Sequence, residues 1–243
     1  MKKPISDAVI LMAGSGSRLR RGGENCPKSL LTLAGRPLIC YTLENLSRAG
    51  IRTIHAVVGF ESAVLRAGMT PLIPYGIHLH WIENPNWQKQ NGITLLAAAP
   101  LVKHPFILTM GDHIFESAAV ERLIQNADLN ALNVAVDYKL DTIFDVDDAM
   151  KIKIEDDRVV AIGKNLTDYD AIDTGLFACS LEIFKYLNQA KRDEDCSLAD
   201  GVRLMAADRK VRAIDIGDGW WQDIDSPETL EHARTLMAAK RAL

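Results

Sequence analysis

Short apolar runs alternate with helical patterns along the first half of the chain, and this alternation limits the possible folds more than any other feature. The runs are AVILM (8–12), TIHAVV (53–58), IHLHWI (77–82), FILTM (106–110) and LNVAV (132–136). Between the first two runs, segment 37–49 has the pattern of an amphipathic helix, with Pro37 suited to its first position and Gly50 following its end. The order predicts an α/β fold with a mostly parallel sheet flanked by helices.

After Asp137 the pattern becomes that of antiparallel strands. KIKIE and RVVAIG flank Asp156 and Asp157, which predicts a β-hairpin. IDTGLFAC, VRAIDI and WWQDID predict further strands, and Ser226 and Pro227 open an amphipathic helix. No repeat, low-complexity tract or long linker interrupts the sequence. We therefore expect one domain over residues 1–243, with the hairpin as a small insertion that closes over one end of the sheet.

Composition excludes several classes of protein. The chain has 243 residues, 48% apolar and 25% charged, which is enough for a substantial core. A net charge of -4 disfavours nucleic acid as the main partner but allows a local site for a small anion. The four cysteines form no CxxC pair, which argues against a zinc ribbon or a disulfide framework.

The apolar runs also bear on location. The run at 8–13 is too short for a signal peptide, and none approaches the ~20 residues of a membrane span. We expect a cytoplasmic protein without a membrane span, and a homodimer because twofold dimers are the commonest assembly.

The segment LMAGSGSRLRRGGENCPKSLL (11–31) resembles two phosphate-binding motifs and matches neither. Leu19 replaces the third glycine of GxGxxG, and Pro27 replaces the second glycine of GxxxxGK[ST]. The second predicted strand also lacks an acidic residue at its end, where HAVVGFES places Gly59. A dinucleotide-dependent oxidoreductase is therefore disfavoured.

The glycines and cations of this loop nevertheless suit a polyphosphate. Gly14 and Gly16 allow backbone N–H groups to turn inward around an anion, and Arg18 and Lys28 supply positive charge. A flexible surface loop with two solvated cations is the alternative.

Two aspartate motifs follow predicted strands or lie in them. Asp112 follows FILTM and Gly111, where a carboxylate is a natural ligand for Mg²⁺, although this motif taken alone favours a simple turn aspartate beside a glycine. Asp223 and Asp225 alternate in WWQDID, so both face the same way and can approach the same metal, unless this strand is a solvated edge. His113 is expected at most to hydrogen-bond the metal loop.

The motif NPNWQKQNGITLLAAA places Asn91 and Gly92 at the start of a helix. An amide and exposed N–H groups there can contact a nucleobase edge, or Asn91 can simply cap the helix. Lys151, Lys153 and Lys164 are, taken singly, ordinary exposed strand lysines.

Together these motifs resemble a known family. LMAGSGSRL followed by PKSLL is similar to the first loop, AGxGxRL and then PK, of the sugar-nucleotide type nucleotidyltransferases. IENPNWQKQNGITLLAA, TMGDHIF, VDDAMKIKIEDDRVVAIGKNLTDYDAIDTGLF and WWQDIDSPETL resemble the CTP:inositol-1-phosphate cytidylyltransferases, and the similarity runs from Ala8 to about Leu230. The resemblance implies a Rossmann-like fold of the nucleotide-diphospho-sugar transferase type. It also implies Mg²⁺-dependent transfer of CMP from CTP to a small phosphorylated alcohol, with release of pyrophosphate. Inositol-1-phosphate is the acceptor that the resemblance favours.

The resemblance also assigns residues. The catalytic cations that hold the triphosphate would be Arg18 and Lys28. The nucleotide-binding residues would be Ala13, Gly14, Gly16, Ser17, Asn91, Gly92 and Thr94. The acceptor-binding residues would be Lys151, Lys164, Asp173 and Asp137, under the hairpin. The metal ligands would be Asp112, Asp223 and Asp225.

The sequence is also compatible with other substrates and with another class of function. The acceptor could be phosphocholine, 2-aminoethylphosphonate or another phosphonate, or a sugar-1-phosphate, and UTP could replace CTP. A nucleotide-sensing protein without catalysis is the alternative from a different class.

Overall fold

The protein alternates strands and helices along its length. A computed structural model of the chain describes residues 5–21, 23 and 26–241. The strands are β1 (Asp7–Met12), β2 (Thr32–Leu33), β3 (Arg36–Pro37), β4 (Thr53–Val58), β5 (His78–Glu83), β6 (Phe106–Met110), β7 (His113–Phe115), β8 (Leu132–Asp137), β9 (Lys151–Glu155), β10 (Arg158–Gly163), β11 (Ala171–Cys179), β12 (Val211–Asp215) and β13 (Trp221–Asp223). The helices are α1 (Ser17–Arg21), α2 (Leu38–Arg48), α3 (Ser62–Met69), α4 (Asn91–Leu96), α5 (Ser117–Asn126), α6 (Glu182–Ala190), α7 (Leu198–Ala207) and α8 (Pro227–Arg241). Short 3₁₀ turns lie at Lys28–Leu30, Thr70–Leu72 and Leu140–Thr142.

Nine strands form one mixed sheet in the order β5-β4-β1-β6-β11-β8-β12-β10-β9. The first four run parallel to one another. β11 then runs antiparallel between β6 and β8, and β12 is parallel to β8. The expected mixed α/β sheet is confirmed, but parallel pairing dominates only among the first four strands, because β11 and the hairpin run the other way.

Helices cover both faces of the sheet. In β1, Val9 and Leu11 belong to one core cluster, which includes residues of α4, α6 and α7. Ala8, Ile10 and Met12 belong to the opposite cluster, which includes residues of α2, α3 and α5. A central parallel strand buried on both faces reads as a continuous apolar run, which is why its sequence predicted it. None of the described helices has the length and apolar composition needed to cross a membrane.

The hairpin of β9 and β10 is confirmed. Its turn residues Asp156 and Asp157 have φ values of 48° and 71°, the left-handed pair that a tight two-residue turn requires. The hairpin is, however, part of the main sheet and not a separate insertion over its end, because β10 pairs with β12 and β9 pairs with β11.

A small ribbon of β7 and β13 adds a third packing layer near the glycine-rich segment. β7 pairs antiparallel with β13, so that His113 lies opposite Asp223. The buried residues of this layer are Leu19, Leu31, Leu33, Leu38, Ile114, Ile224, Leu230 and Ala233. Leu19 is 2% exposed, so the residue that breaks the dinucleotide motif anchors α1 in this cluster. Gly22, Glu24 and Asn25 of segment 11–31 lie outside the described residues.

Candidate active site

A cavity of about 980 Å³ lies beside the ends of β6 and β8 and against β11. Among its lining residues are seven expected from the sequence: Asn91, Asp112, Asp137, Lys164, Asp173, Asp223 and Asp225. A smaller recess of about 200 Å³ is lined by Ser15, Gly16, Ser17, Arg18, Lys28 and Asp225. Asp225 borders both the recess and the cavity. The recess beside the glycine-rich segment 11–31, which we call the glycine loop, therefore meets the large cavity at this residue.

Gly111 allows the Asp112 loop to lie close to β1. A Cβ atom added to Gly111 would overlap the side chains of Met12 and Ser29, so a larger residue would push the loop away. On the other side, Ile224 N donates to Asp112 O over 3.1 Å. Gly111 N donates to Leu11 O over 3.0 Å, so backbone hydrogen bonds hold the Asp112 loop on both sides.

Asp223 and Asp225 reach the cavity from the end of β13. Ile224 between them is fully buried, while both aspartates line the cavity. This is the alternation that the sequence predicted. It brings two carboxylates to the same side as Asp112.

Asp112, His113 and Asp223 form a cluster that could hold a metal ion, with one ligand atom from each within 4.8 Å of the others. His113 Nδ1 lies 2.8 Å from Asp112 Oδ1 and 3.7 Å from Asp223 Oδ1. Asp223 Oδ1 is buried and has no hydrogen-bond donor among the described residues. An orphaned carboxylate oxygen beside a second carboxylate fits a hard divalent cation. Asp225, expected as a third ligand, pairs instead with Lys28 and Arg18.

Charges in this cluster shift one another's pKa values. Burial disfavours ionised Asp112, but Lys28 and His113 outweigh burial and hold its pKa well below the usual range. Burial likewise disfavours protonated His113, but Asp223 and Asp112 outweigh it and raise the His113 pKa to about 9. Burial raises the pKa of Asp223. This raised pKa favours protonated His113, which orients Asp112 and balances its charge, so the atoms of the cluster suited to a cation are the carboxylate oxygens of Asp112 and Asp223.

His113 is the residue of this cluster that sequence reasoning undervalued. Only the pairing of β7 with β13 places it against Asp223. A second glycine makes room for it: Gly175 has φ +72°, and a Cβ atom there would overlap the His113 ring. The GDH motif itself was the available signal.

The glycine loop brings both expected cations to the carboxylates. Gly16 adopts φ +63° and lies against Lys28, and Gly14 has open space around it. Lys28 Nζ lies 2.5 Å from Asp112 Oδ2 and also contacts Asp225. Arg18 contacts Asp225, and its Nη1 lies 2.8 Å from Asp148 Oδ2. The remaining loop residues expected at the nucleotide are Ala13, which is buried, and Ser17, which begins α1.

The three nucleotide-binding residues expected in α4 occupy different environments. Asn91 lines the cavity, and its Oδ1 accepts from Leu198 N over 2.8 Å, which joins α4 to α7. Gly92 packs so closely that a Cβ atom would lie 2.6 Å from Cys196 O. Thr94 is buried, and its hydroxyl accepts from Asn84 Nδ2 over 3.0 Å. Gly92 and Thr94 are not lining residues of the cavity, so packing accounts for both.

The residues expected to bind the acceptor also occupy two different environments. Lys164, Asp137 and Asp173 line the cavity, whereas Lys151 is buried behind it. Lys151 Nζ donates to the carbonyl oxygens of Lys164, over 2.8 Å, and Asp147, over 3.3 Å. The expectation of Lys151 as an acceptor ligand does not match this position, because its ammonium supports the backbone of two neighbouring segments.

The two acceptor-side carboxylates, Asp137 and Asp173, differ in their partners. Asp137 Oδ2 accepts from Trp221 Nε1 over 3.0 Å, and Asp137 Oδ1 lies 2.8 Å from Lys139 Nζ. Asp173 Oδ1 accepts from Gly175 N over 2.8 Å. Burial raises the pKa of Asp173 to about 7 despite that bond and the nearby charge of His113. Sequence reasoning missed Lys139, Arg203, Trp221 and Asp148, which also line the cavity.

The chain is similar in sequence to known transferases. Residues 8–142 match the MobA-like NTP transferase domain family. The chain is 32% identical over 233 residues to the bifunctional IPC transferase and DIPP synthase of Aquifex aeolicus, which covers 95% of this chain and 51% of that protein. It is 34% identical over 226 residues to the protein of the same name from Rubrobacter xylanophilus, which covers 92% of this chain and 50% of that one. The chain thus spans about half the length of these curated relatives.

Among solved structures, the chain is similar to the inositol-1-phosphate CTP transferase from T. maritima. The TM-score is 0.86 at 25% sequence identity, over 98% of this chain and 97% of that one. A UDP-glucose pyrophosphorylase from Acinetobacter baumannii shares the fold, with a TM-score of 0.77 at 18% identity. The expected fold of the nucleotide-diphospho-sugar transferase type is confirmed.

Proposed function

The chain belongs to the MobA-like NTP transferase family, and we propose that it is a cytidylyltransferase that transfers CMP from CTP to inositol-1-phosphate and releases pyrophosphate. The observation that carries this proposal is the position of Lys28, whose ammonium contacts Asp112 and Asp225 where the glycine-loop recess meets the large cavity. A triphosphate in the recess would place its α-phosphorus at that junction, facing an acceptor in the cavity. The likeness to the inositol-1-phosphate CTP transferase from T. maritima supports the choice of substrates.

The glycine loop would hold the triphosphate. Backbone N–H groups at Gly14 and Gly16 would face the phosphates, and Arg18 and Lys28 would exchange their carboxylate partners for phosphate oxygens. Asn91, on the cavity wall, would lie toward the nucleoside.

Asp112 and Asp223 would hold Mg²⁺. Carboxylate oxygens are the ligands that this cation prefers. Asp223 Oδ1 is available as such a ligand because it accepts no hydrogen bond from the described residues. When bound, Mg²⁺ would neutralise charge that develops on the phosphates. Lys28 and His113 keep Asp112 ionised, and His113 also orients the carboxylate through its Nδ1.

The acceptor would react as an anion and needs no general base. One of its phosphate oxygens forms the bond to the α-phosphorus of CTP, and the bond to pyrophosphate breaks. Two unit charges at ~4 Å repel by roughly 4 kcal/mol at an effective dielectric near 20, so the site must supply cations. Arg18 and Lys28 act on the nucleotide side and Lys164 on the acceptor side. The protein contributes positioning and charge stabilisation.

Asp137 and Asp173 would bind the acceptor's hydroxyl groups. Asp173, with a pKa of about 7, can donate or accept a hydrogen bond near neutral pH, and Asp137 lines the same cavity. A ring with several adjacent hydroxyls offers partners for both.

We further propose that residues 1–243 form one nucleotidyltransferase domain, and that the protein is a cytoplasmic homodimer. Both substrates are water-soluble anions, which fits that location, and twofold dimers are the commonest assembly. Size-exclusion chromatography with light scattering measures the oligomeric state.

The proposal is tested by pyrophosphate release from CTP, UTP, ATP and GTP, each combined with inositol-1-phosphate, phosphocholine, 2-aminoethylphosphonate, glycerol phosphate and hexose-1-phosphates. We expect the highest kcat/KM for CTP with inositol-1-phosphate, only with a divalent cation present. Higher kcat/KM with another acceptor would reassign the substrate. Nucleotide binding without pyrophosphate release from any pair would support a sensor and contradict the proposal.

A further inference from the structure

One wall of the cavity is a segment without helix or strand, residues 143–150, which we call the strap. It connects the 3₁₀ turn Leu140–Thr142 to β9. Its cavity-lining residues are Ile143, Phe144, Asp145, Asp148, Ala149 and Met150. None of residues 143–150 is buried. A segment with little buried surface opens at low free-energy cost.

The strap is attached to three parts of the molecule by side chains. The Phe144 ring stacks on His232 of α8, with centroids 4.1 Å apart. The Asp148 carboxylate contacts Arg18 of the glycine loop, over 2.8 Å, and Lys164 after the hairpin. Behind this pair, buried Lys151 binds the carbonyl oxygens of Asp147 and Lys164. Asp148 and Lys164 are therefore held next to each other from the protein side.

Asp148 is one member of a chain of alternating charges. The order is Lys164, Asp148, Arg18, Asp225, Lys28 and Asp112, each in contact with the next. Every cation assigned above to a substrate phosphate is thus already neutralised by an aspartate. Asp148 is the member that contacts one cation from the nucleotide side and one from the acceptor side.

We propose that Asp148 stands in for substrate phosphate in the free enzyme and couples the two binding sites; this inference rests on the proposed function. The phosphates of CTP replace Asp148 as a partner of Arg18, so that the Lys164 ion pair is the remaining one at Asp148 and the strap is held less firmly over the acceptor side of the cavity. The acceptor then has one ion pair fewer to displace, so CTP strengthens acceptor binding. By linkage, the acceptor strengthens CTP binding by the same factor.

The size of the coupling between the two sites is limited by how exposed the paired side chains are. The side chains of Arg18, Asp148 and Lys164 are 50%, 39% and 48% exposed. An ion pair this exposed changes an equilibrium constant by at most about fivefold. The contact is therefore strong enough to bias the strap and weak enough for a substrate to displace.

The test compares wild type, Asp148→Asn and Asp218→Asn by calorimetric titration. Asp218 is an exposed cavity aspartate that takes part in no ion pair among the described residues. Each protein is titrated with inositol-1-phosphate, with and without saturating CTP analogue that carries a methylene group between its α- and β-phosphorus atoms. The analogue is also titrated alone, because its binding reports the loss of the Arg18 contact without any turnover.

We expect Asp148→Asn to bind the analogue alone about 2- to 5-fold more tightly than wild type, because Arg18 then has one carboxylate partner, Asp225, to exchange for phosphate instead of two. The gain in acceptor affinity caused by the analogue should be about 2- to 5-fold smaller in Asp148→Asn than in wild type. Asp218→Asn should match wild type in both respects. High salt should shrink the differences, since exposed charges are screened.

Weaker binding by Asp148→Asn, or coupling equal to that of wild type, overturns the inference and makes Asp148 a substrate contact or a surface residue. In that case wild type still binds and turns over both substrates, so the proposed function stands. If wild type binds neither ligand, the proposed function fails and this inference fails with it.

Discussion

At the scale of single residues, Lys28 carries the nucleotide side of the site. Its side chain is 13% exposed and its ammonium contacts two carboxylates at the cavity junction. Removing a group that stabilises transition-state charge typically costs about 100- to 1,000-fold in rate, and we expect Lys28→Ala to lower kcat by that amount. Pyrophosphate release measures it, with the exposed Lys103→Ala as control. Wild-type turnover in Lys28→Ala would remove Lys28 from the catalytic machinery.

Gly175 is a second residue whose identity the site requires. Its φ of +72° disfavours any side chain, and a Cβ atom would overlap His113. Gly76 has φ +82° but nothing within 4 Å of an added Cβ atom, so Gly76→Ala isolates the backbone strain. We expect Gly76→Ala to lose about 1 to 2 kcal/mol of unfolding free energy with normal activity.

Gly175→Ala should lose more stability than Gly76→Ala and should also lower kcat, because His113 must move away from Asp112. Urea denaturation and pyrophosphate release give the two readouts. Equal behaviour of the two alanine variants would show that the contact with His113 does not matter.

Asp173 predicts a pH dependence of stability. Its pKa is about 7 in the folded protein, above the ordinary value of 3.8, because burial disfavours the charge. The folded state therefore binds more protons than the unfolded state between these values, and Asp173 lowers stability progressively as pH rises from about 4 to about 7.

Asp173→Asn removes this contribution. The free energy of unfolding of the variant, relative to that of wild type, should therefore increase from about pH 4 to about pH 7 and stay constant above about pH 7. Urea denaturation at pH steps from 4.5 to 7.5, with chelator present, measures the difference. Parallel curves for the two proteins would contradict the raised pKa of Asp173.

At the scale of elements, α1 depends on the cluster beneath it. Leu19 packs there with Leu33, Ile114 and Ile224, all nearly inaccessible to solvent. Truncating a buried leucine usually costs about 2 to 5 kcal/mol, which we expect for Leu19→Ala. Because α1 also positions Arg18, kcat/KM for CTP should fall.

Val64, 53% exposed on α3, provides the control: Val64→Ala should change stability by no more than about 0.5 kcal/mol. Thermal and urea denaturation of both variants measure this. A loss below about 1 kcal/mol in Leu19→Ala would show that α1 is not anchored through this side chain.

The sequence predicted elements whose signal is local. Strands buried on both faces, such as β1 and β6, appear as continuous apolar runs, and Asp156 and Asp157 mark a tight turn. Asp112 was identifiable because it directly follows such a strand. These features depend on neighbours in sequence, which is why periodicity and turn chemistry reveal them.

Contacts between distant segments could not be predicted in this way. The burial of Lys151 follows from the approach of two loops, and the position of His113 follows from the pairing of β7 with β13. The tight packing of Gly92 against Cys196 likewise depends on segments that are far apart in the chain. No local pattern distinguishes these residues from exposed ones of the same type.

At the scale of the whole molecule, the site lies where the direction of pairing changes in the sheet. β6 is the last of the four strands that run parallel at one side of the sheet, and β11 runs antiparallel beside it. Loops after β1 and β6 supply Lys28 and Asp112, while β8, β11 and the end of the hairpin supply the acceptor-side residues Asp137, Asp173 and Lys164. The strand order reverses between β1 and β6, because β4 and β5 follow on one side of β1 and β6 lies on the other, and ligands of open α/β sheets bind at such a reversal. The two substrates therefore approach each other from different parts of the sheet.

The central claim is direct transfer of CMP to the acceptor's phosphate, and an isotope measurement tests it most directly. The purified chain is incubated with CTP, Mg²⁺ and inositol-1-phosphate carrying ¹⁸O in its non-bridging phosphate oxygens, and the products are analysed by mass spectrometry. Attack by an acceptor oxygen on the α-phosphorus predicts CDP-inositol that retains all of the label, and unlabelled pyrophosphate. Label in pyrophosphate, or consumption of CTP without a labelled cytidylyl product, would contradict the account.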